Sequence, residues 1–479
     1  TMENSGGEWE NGRAGWVGQV KYNYDNRYFV EASMRYDGSD NFPKDHRWGT
    51  FYSGSIGWSL ADEAFMETIR EKHIFDMLKI RASYGQVGLD NWGNDGDTYH
   101  IGRFAYLTSY GLGGQEYVMN GEYVPGFWEG SLPSPDLTWF TTDQFDAGFD
   151  FSSLNNRLYG SFDYFYYATK GFLYAPDALD VGYTDPLGVS LPKISTDGEH
   201  RRAGVEFQLG WRDDIGDFHY DVAFNFTKFD ELWANNPSES LENKKNPYKR
   251  TTQQRGYAGV YYENMGFYKD ANDVYNSVQR TGSHSLTAGD LKYYDFNGDG
   301  VIDGADQHRL GKSSFPRANY GLNINLSYKG FSFSTLFQGA TRFDMYLGSV
   351  LMMSDANTGS SPTYEFQTDY WTPENTDAKF PRLLSSTGNN GSNNTVGSDF
   401  WLINGGYLRM RDIQVGYDFK RILLKKTPWI TRLNVALSGQ NIFTISEATK
   451  YGIDPENGSA NRYDYPNERV FAINFGIGF

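Results

Sequence analysis

Between Asp295 and Asp306 the chain reads DFNGDGVIDGAD, which sets oxygen donors at fixed intervals along a glycine-bent loop. Asp295, Asn297 and Asp299 take the first, third and fifth places of the D-x-[DN]-x-[DN]-G calcium loop, and Gly300 takes its sharp bend. Val301 would offer its backbone carbonyl and Asp303 a water-bridged contact. Asp306 stands where a bidentate Glu is usual, and its shorter arm predicts modest affinity. Oxygen donors of this kind suit hard cations, Ca2+ or Mg2+. The flanks do not read as the paired helices of a sensor, so the expected role is structural, ordering the long segment from Asp230 to Pro316. The same residues also fit a loop of Asx turns that holds no metal.

A second group could do recognition chemistry. Trp92, Trp128, Trp233, Tyr261, Tyr262 and Trp371 fall in loop-like sequence. There they could stack on sugar faces while neighbouring Asp, Asn and Glu bond hydroxyls, or pack the loops' own small cores, or meet a protein lid. Covalent catalysis has little support. The chain has no Cys and seven His, and it lacks HExxH and GxSxG. The glycine cluster Gly111–Gly114 lacks the strand-to-helix setting of a phosphate cradle, and His46, His100, His200 and His308 read as scattered surface residues. No enzyme is expected.

The elements that must position these loops have a period of two. Phe471, Ile473, Phe475, Ile477 and Phe479 share one face of the terminal segment, and Ala472, Asn474, Gly476 and Gly478 share the other. Tyr28 to Tyr36 and Tyr320 to Tyr328 repeat the pattern. About 14 strands follow from it, centred near Val20, Ala32, Gly57, Ile80, Phe104, Phe145, Phe162, Phe207, Val222, Ile324, Leu336, Ile413, Val435 and Ile473. One amphipathic helix is predicted from Ala61 to Glu71, with Leu60, Phe65 and Ile69 on one face. Turn residues at Asp25-Asn26, Asn155-Asn156, Lys329-Gly330 and Asp213 to Asp217 predict tight hairpins. Opposite them lie long excursions at 37–47, 88–135, 169–200, 230–316 and 343–405, too long for mere connectors.

Short turns at one end, long loops at the other and aromatics at strand ends predict an all-β transmembrane antiparallel barrel, a single unit over 1–479. Aromatic residues make up 17% of the chain, yet no apolar run reaches the roughly 18–20 residues of a membrane-spanning helix. Polar strand faces, with Gln19, Lys21, Glu31, Arg35, Asp163, Asn323 and Asn325, would line a water-filled lumen. The net charge of −17 argues against nucleic acid. The opening TMENSGGEWENG has no apolar core, and alternation starts by Trp16, as though the chain were entered in mid-sheet.

Several segments in order resemble the SusC/RagA family, the TonB-dependent transporters of the Bacteroidota outer membrane. They include GWVGQVKYNYDNRYFVEASMRYDGSDNF, RWGTFYSGSIGWSLADEAFM, LKIRASYGQVGLDN, GDLKYYDFNGDGVIDGADQHRLG, NYGLNINLSYKGFSFSTLFQG, GYLRMRDIQVGYDF, LNVALSGQNIFTIS and YPNERVFAINFGIGF. The resemblance implies a barrel of about 22 strands preceded by a plug domain. Nothing here resembles that plug, so the chain would be the C-terminal barrel portion and would need an N-terminal plug/barrel portion on another chain or in sequence not shown. It further implies a SusD-like surface lipoprotein over the loops, TonB acting through the N-terminal portion, and import of a large nutrient, an oligosaccharide in the first instance. Oligopeptide import is the near alternative; a secreted β-rich adhesin or carbohydrate-binding protein is the distant one.

Overall fold

The structure, a computed structural model, describes residues 12–91, 102–119, 121–130, 132–174, 194–348, 364–384, 387–419, 429–457 and 467–479. Thirteen strands form one sheet in which each pairs with the next in chain order. They are β1 (Arg13–Tyr24), β2 (Tyr28–Ser39), β3 (Trp48–Ser59), β4 (Met77–Leu89), β5 (Phe140–Ser153), β6 (Leu158–Lys170), β7 (Glu199–Ile215), β8 (Phe218–Asn235), β9 (Ala318–Tyr328), β10 (Phe331–Thr341), β11 (Tyr407–Asp418), β12 (Arg432–Ser446) and β13 (Val470–Gly478). No helix among the described residues is long and apolar enough to cross a membrane.

The tight turns fall where the sequence puts them, and they fix the register. Asp25 and Asn26 both adopt positive φ (52° and 54°), as do Asn155 and Asn156 and the pair Lys329-Gly330. Left-handed residues of this kind turn tight hairpins whose twist matches their strands, here with three residues between Tyr24 and Tyr28, four between Ser153 and Leu158, and two between Tyr328 and Phe331. Tyr24 therefore pairs with Tyr28 and Trp16 with Tyr36, and Tyr328 pairs with Phe331 and Tyr320 with Gly339.

Two expectations need correction. No strand forms around Phe104, which sits in a turn at φ 56°; its neighbours Ala105 and Tyr106 alternate because they pack on a loop core. The hairpin after it, Tyr110–Met119 with Glu122–Glu129, makes a separate two-stranded sheet. The main sheet has 13 strands among the described residues, close to the 14 expected, with the one near Phe104 missing from it. The helix predicted over 61–71 is broken into 3₁₀ turns Leu60–Asp62 and Ala64–Met66 and a short α-helix Glu67–Glu71. Glu63 is extended between them and accepts hydrogen bonds from the Tyr28 hydroxyl and from Trp58 Nε1 (2.9 Å). Ala61 and Met66 are buried while Phe65 faces outward.

By internal contacts the chain divides into two compact units, one of residues 1–155, 161–205 and 230–254, the other of 156–160, 206–229 and 255–479. In each, one sheet face is apolar and exposed. Val30, Met34, Tyr52, Ile56 and Ile80 show it in the first unit, Val415, Leu437, Ile473 and Phe475 in the second. The buried apolar clusters lie instead among the long loops. Phe42, Leu137, Phe140, Phe172 and Leu173 form one in the first unit. In the second, Leu291, Tyr293, Ile302, Phe343, Phe380, Trp401 and Ile403 form the larger one.

Candidate functional site

The loops of the second unit make a folded cap whose interior is knitted by polar groups as well as rings. Asp290 is fully buried and accepts from Asn390 Nδ2 (3.1 Å), Asn394 Nδ2 (2.9 Å) and Arg382 (3.0 Å). The Tyr293 hydroxyl donates to the Asn393 carbonyl (2.6 Å) and Trp401 Nε1 to the Asn394 carbonyl (3.1 Å). Buried polar groups are affordable only when paired in this way. Burial pushes the hydroxyl of Tyr346 up to about 12 and that of Tyr293 further. It also raises Asp399, against the opposing hydrogen bond from the Asn264 N–H.

The last long loop is held to β11 chiefly by Arg409, with Arg411 also pairing with Glu456 (3.1 Å) and the Tyr407 hydroxyl donating to it (3.0 Å). Arg409 on β11 is 2% exposed and donates to Asp454 Oδ1 (2.6 Å), Glu456 Oε2 (2.6 Å) and Thr444 Oγ1 (2.9 Å). Asp454 is held below the usual carboxylate range: burial alone would raise it, but the Glu456 N–H, Arg409 and Asn467 together outweigh that.

The residues 295–306 form a self-bonded loop. Asp295 accepts from the Gly298 and Gly300 amides (2.8 and 2.9 Å), Asn297 from Asp299 (2.9 Å), Asp299 from Val301 (2.8 Å) and Asp303 from Ala305 (2.7 Å). Gly298 and Gly300 take φ of 74° and 85°, which no side chain at either place would tolerate cheaply. Asp306 is fully buried and accepts from the amides of Phe296 (2.9 Å), Asn297 (3.2 Å) and Asp303 (2.8 Å). Among the described residues no three acidic or imidazole side chains converge on one point as an ion would require. The donor set is still all oxygen, and a carboxylate has more acceptor positions than these amides use.

The aromatic candidates are scattered. Trp92 lies outside the described residues. Trp128 is on the separate hairpin and exposed. Trp233 packs in the first unit's loop core, 4.8 Å from the Phe172 ring and 5.0 Å from that of His200. In the second unit, Tyr261 stacks on Tyr346 at 5.3 Å, Tyr262 is buried against Tyr293, and Trp371 is buried over Gly289, whose missing Cβ leaves room for the indole. Most of these rings are occupied with loop packing.

Below the loops, the polar sheet faces differ between the units. In the first, charges meet charges. Lys21 pairs with Glu31 (3.3 Å), Arg35 with Asp37 (3.0 Å), and Arg81 with Asp146 (3.3 Å), Asp150 (3.1 Å) and Asp163 (2.6 Å). In the second, β9 to β13 present mainly amides and hydroxyls, among them Asn323, Asn325, Ser332, Ser334 and Gln414. The alternation FSFSTLFQ already placed Ser332 and Ser334 on the face opposite Phe331 and Phe333.

A two-faced sheet with its apolar side exposed, tight turns at one end and folded loops at the other defines an outer-membrane β-barrel wall. The comparisons agree. A family model described as "TonB dependent receptor-like, beta-barrel" matches residues 7–339, and the chain belongs to that family. Its members are outer-membrane transporters rather than enzymes. More particularly, the chain is 27% identical to TonB-dependent receptor SusC of Bacteroides thetaiotaomicron, over 97% of this chain and 43% of that protein. TonB-dependent receptor P3 of Formosa agariphila is also 27% identical, over 96% of this chain and 45% of that one. The RagAB peptide importer in its open-open state shares the fold, with a TM-score of 0.74 at 19% identity over 97% of this chain and 46% of that one. The chain thus spans less than half the length of the relatives it matches.

Proposed function

We propose that these residues form wall and outer loops of an importer that brings a large nutrient, an oligosaccharide, across the outer membrane. The observation that carries this reading is the two-faced sheet, apolar and exposed on one side and polar on the other, with long loops folded on their own cores at one end. Likeness to SusC along nearly the whole chain supports it. A SusD-like lipoprotein would seat on the loops, and TonB would act through an N-terminal plug portion beyond these residues. Oligopeptide import by the same architecture is the second reading, favoured by the fold shared with a peptide importer. Deleting the gene is expected to abolish growth on neutral oligosaccharides and leave growth on peptides intact, with rescue by the restored gene. Loss on peptides alone would establish the second reading, and loss on neither would overturn both.

The loop 295–306 is proposed to take Ca2+ or Mg2+ as a staple, on the strength of its oxygen donors at calcium-loop spacing. Saturating Ca2+ at about 100 times its dissociation constant is expected to stabilise the loop by about 2.7 kcal/mol. Scanning calorimetry of the receptor with EDTA or Ca2+ checks this, and equal melting in both sinks it. Asp295→Asn with Asp299→Asn should abolish the difference.

A further inference from the structure

The connection from β3 to β4, residues 60–76, differs from its neighbours at the tight-turn end. Among the turn-end connections described in full it alone carries helical turns, while the others close within a few residues. Glu63 sets its position. The carboxylate accepts from the Tyr28 hydroxyl, from Trp58 Nε1 (2.9 Å) and from Arg27 (3.3 Å). Tyr28 faces Trp58 across β2 and β3, and Trp58 faces Ile80 on β4. Two positions from Val30 and Ile56, both rings share the exposed apolar face with them. Tyr24, Tyr28 and Trp58 follow one another along this rim, with ring centroids 6.3 and 6.4 Å apart. The segment is therefore tied to the lipid side of the rim, not to the polar side of the sheet.

Aromatic rings with a polar tip mark the depth at which hydrocarbon gives way to head groups. A carboxylate can sit there when its charge is answered, and the Glu63 side chain, 11% exposed, has an arginine and two neutral donors. Two residues on, Phe65 is 67% exposed, while Ala61 and Met66 bury the inner side of the same turns. A lone exposed ring in water needs no explanation. This one stands beside a group fixed on the lipid rim, so it continues the apolar face. The charges around it are mixed in sign. Asp62 pairs with Arg70 (3.0 Å), and Glu67, Glu71 and Lys72 are all exposed. Such a mixture offers oxygens to an ammonium group and N–H donors to a phosphate, and it lacks the surplus of cations that seeks an anionic surface. We propose that residues 60–72 form an interfacial anchor in the head-group layer of the periplasmic leaflet. Phe65 enters the upper acyl chains, and zwitterionic phospholipid head groups meet the charged side.

The absence of cysteine from the chain lets Phe65→Cys, and Ala32→Cys midway between Tyr28 and Tyr36 on β2, each carry one fluorescent label in the full-length receptor. The unsubstituted receptor sets the background. The receptors are reconstituted into vesicles of phosphatidylethanolamine and phosphatidylcholine that contain lipids with a nitroxide high or low on the acyl chain, and acrylamide serves as the aqueous quencher. The label at 65 is expected to lose more fluorescence to the high nitroxide than to the low one, and little to acrylamide. At 32 the order of the nitroxides is expected to reverse. Quenching at 65 chiefly by acrylamide overturns the anchor, as does the depth preference of position 32. Protection from all three quenchers overturns it too, because another protein portion would then cover the segment. A dye has its own affinity for lipid, so Glu63→Ala is added to the receptor labelled at 65. Loss of the tie to Tyr28 and Trp58 is expected to shift that label towards acrylamide, and an unchanged profile overturns the anchor. Replacing part of the lipid by phosphatidylglycerol is expected to shift it the same way; no shift, or one towards lipid, overturns the choice of zwitterionic head groups.

Discussion

Within the second unit, β13 and the loop core around Trp401 obey opposite rules. Phe475 on β13 is 73% exposed, whereas Trp401 is 0% exposed and bonded through its indole N–H. Both are large aromatics in a chain with 17% aromatic content. The difference lies in the solvent each region was built for. In water a contiguous row such as Phe471, Ile473 and Phe475 would be an aggregation liability; in hydrocarbon it costs nothing, and the strand pairing meanwhile satisfies the backbone. The loops live in water and must hide their rings as any soluble domain does. Stability in this molecule therefore has two independent sources, and perturbing one should leave the other standing.

The sharpest break would come from Trp401→Ala. Emptying a fully buried indole site is expected to cost the loop core about 3–5 kcal/mol, seen as faster hydrogen exchange at Leu291, Tyr293 and Ile403 while β9 to β13 stay protected. Loss of protection in both regions together would show that cap and wall unfold as one. Next in size, Ile473→Arg should destabilise the wall by about 2–4 kcal/mol in a bilayer, and Asn474→Arg, one residue along on the polar face, by far less. Folding titrations into lipid vesicles compare the two, and equal costs would mean that the assignment of faces is wrong.

The smallest effect is expected where cap meets wall. Arg409→Met should free the loop at 447–457, costing about 2 kcal/mol for lost bonds to charged groups, read as new proteolysis there. Acid should mimic it. Because Asp454 is depressed in the folded state, its contribution is full above the ordinary value of 3.8 and is lost only as the pH falls below that. Cleavage of this loop at mildly acidic pH, with Arg409 intact, would contradict that assignment.

The wall was legible in the sequence because its physics is periodic. Alternation placed Phe475 and Asn474 on opposite faces, and Asp25-Asn26, Asn155-Asn156 and Lys329-Gly330 announced turns that only left-handed backbones can make. The loops have no period to read. Phe104 alternates with Tyr106 like a strand, but its alternation serves a loop core. Leu60, Phe65 and Ile69 have helical spacing, but Glu63 is drawn away to the Tyr28 hydroxyl and breaks the helix. The network of Asp290 with Asn390 and Asn394 joins residues about a hundred positions apart, which no local pattern encodes. For the calcium-like loop, spacing picked out the oxygen-bearing side chains but not the backbone amides they bond.

The tight turns have an evolutionary consequence. Asp25-Asn26 and Lys329-Gly330 set strand register from one end, so the pairing of every residue above them is decided before the chain reaches the loops. Segments at the other end can then lengthen, shorten or be exchanged between relatives without shifting a single lipid-facing residue out of place. A lineage with this architecture can recombine its outer loops and keep the same wall throughout.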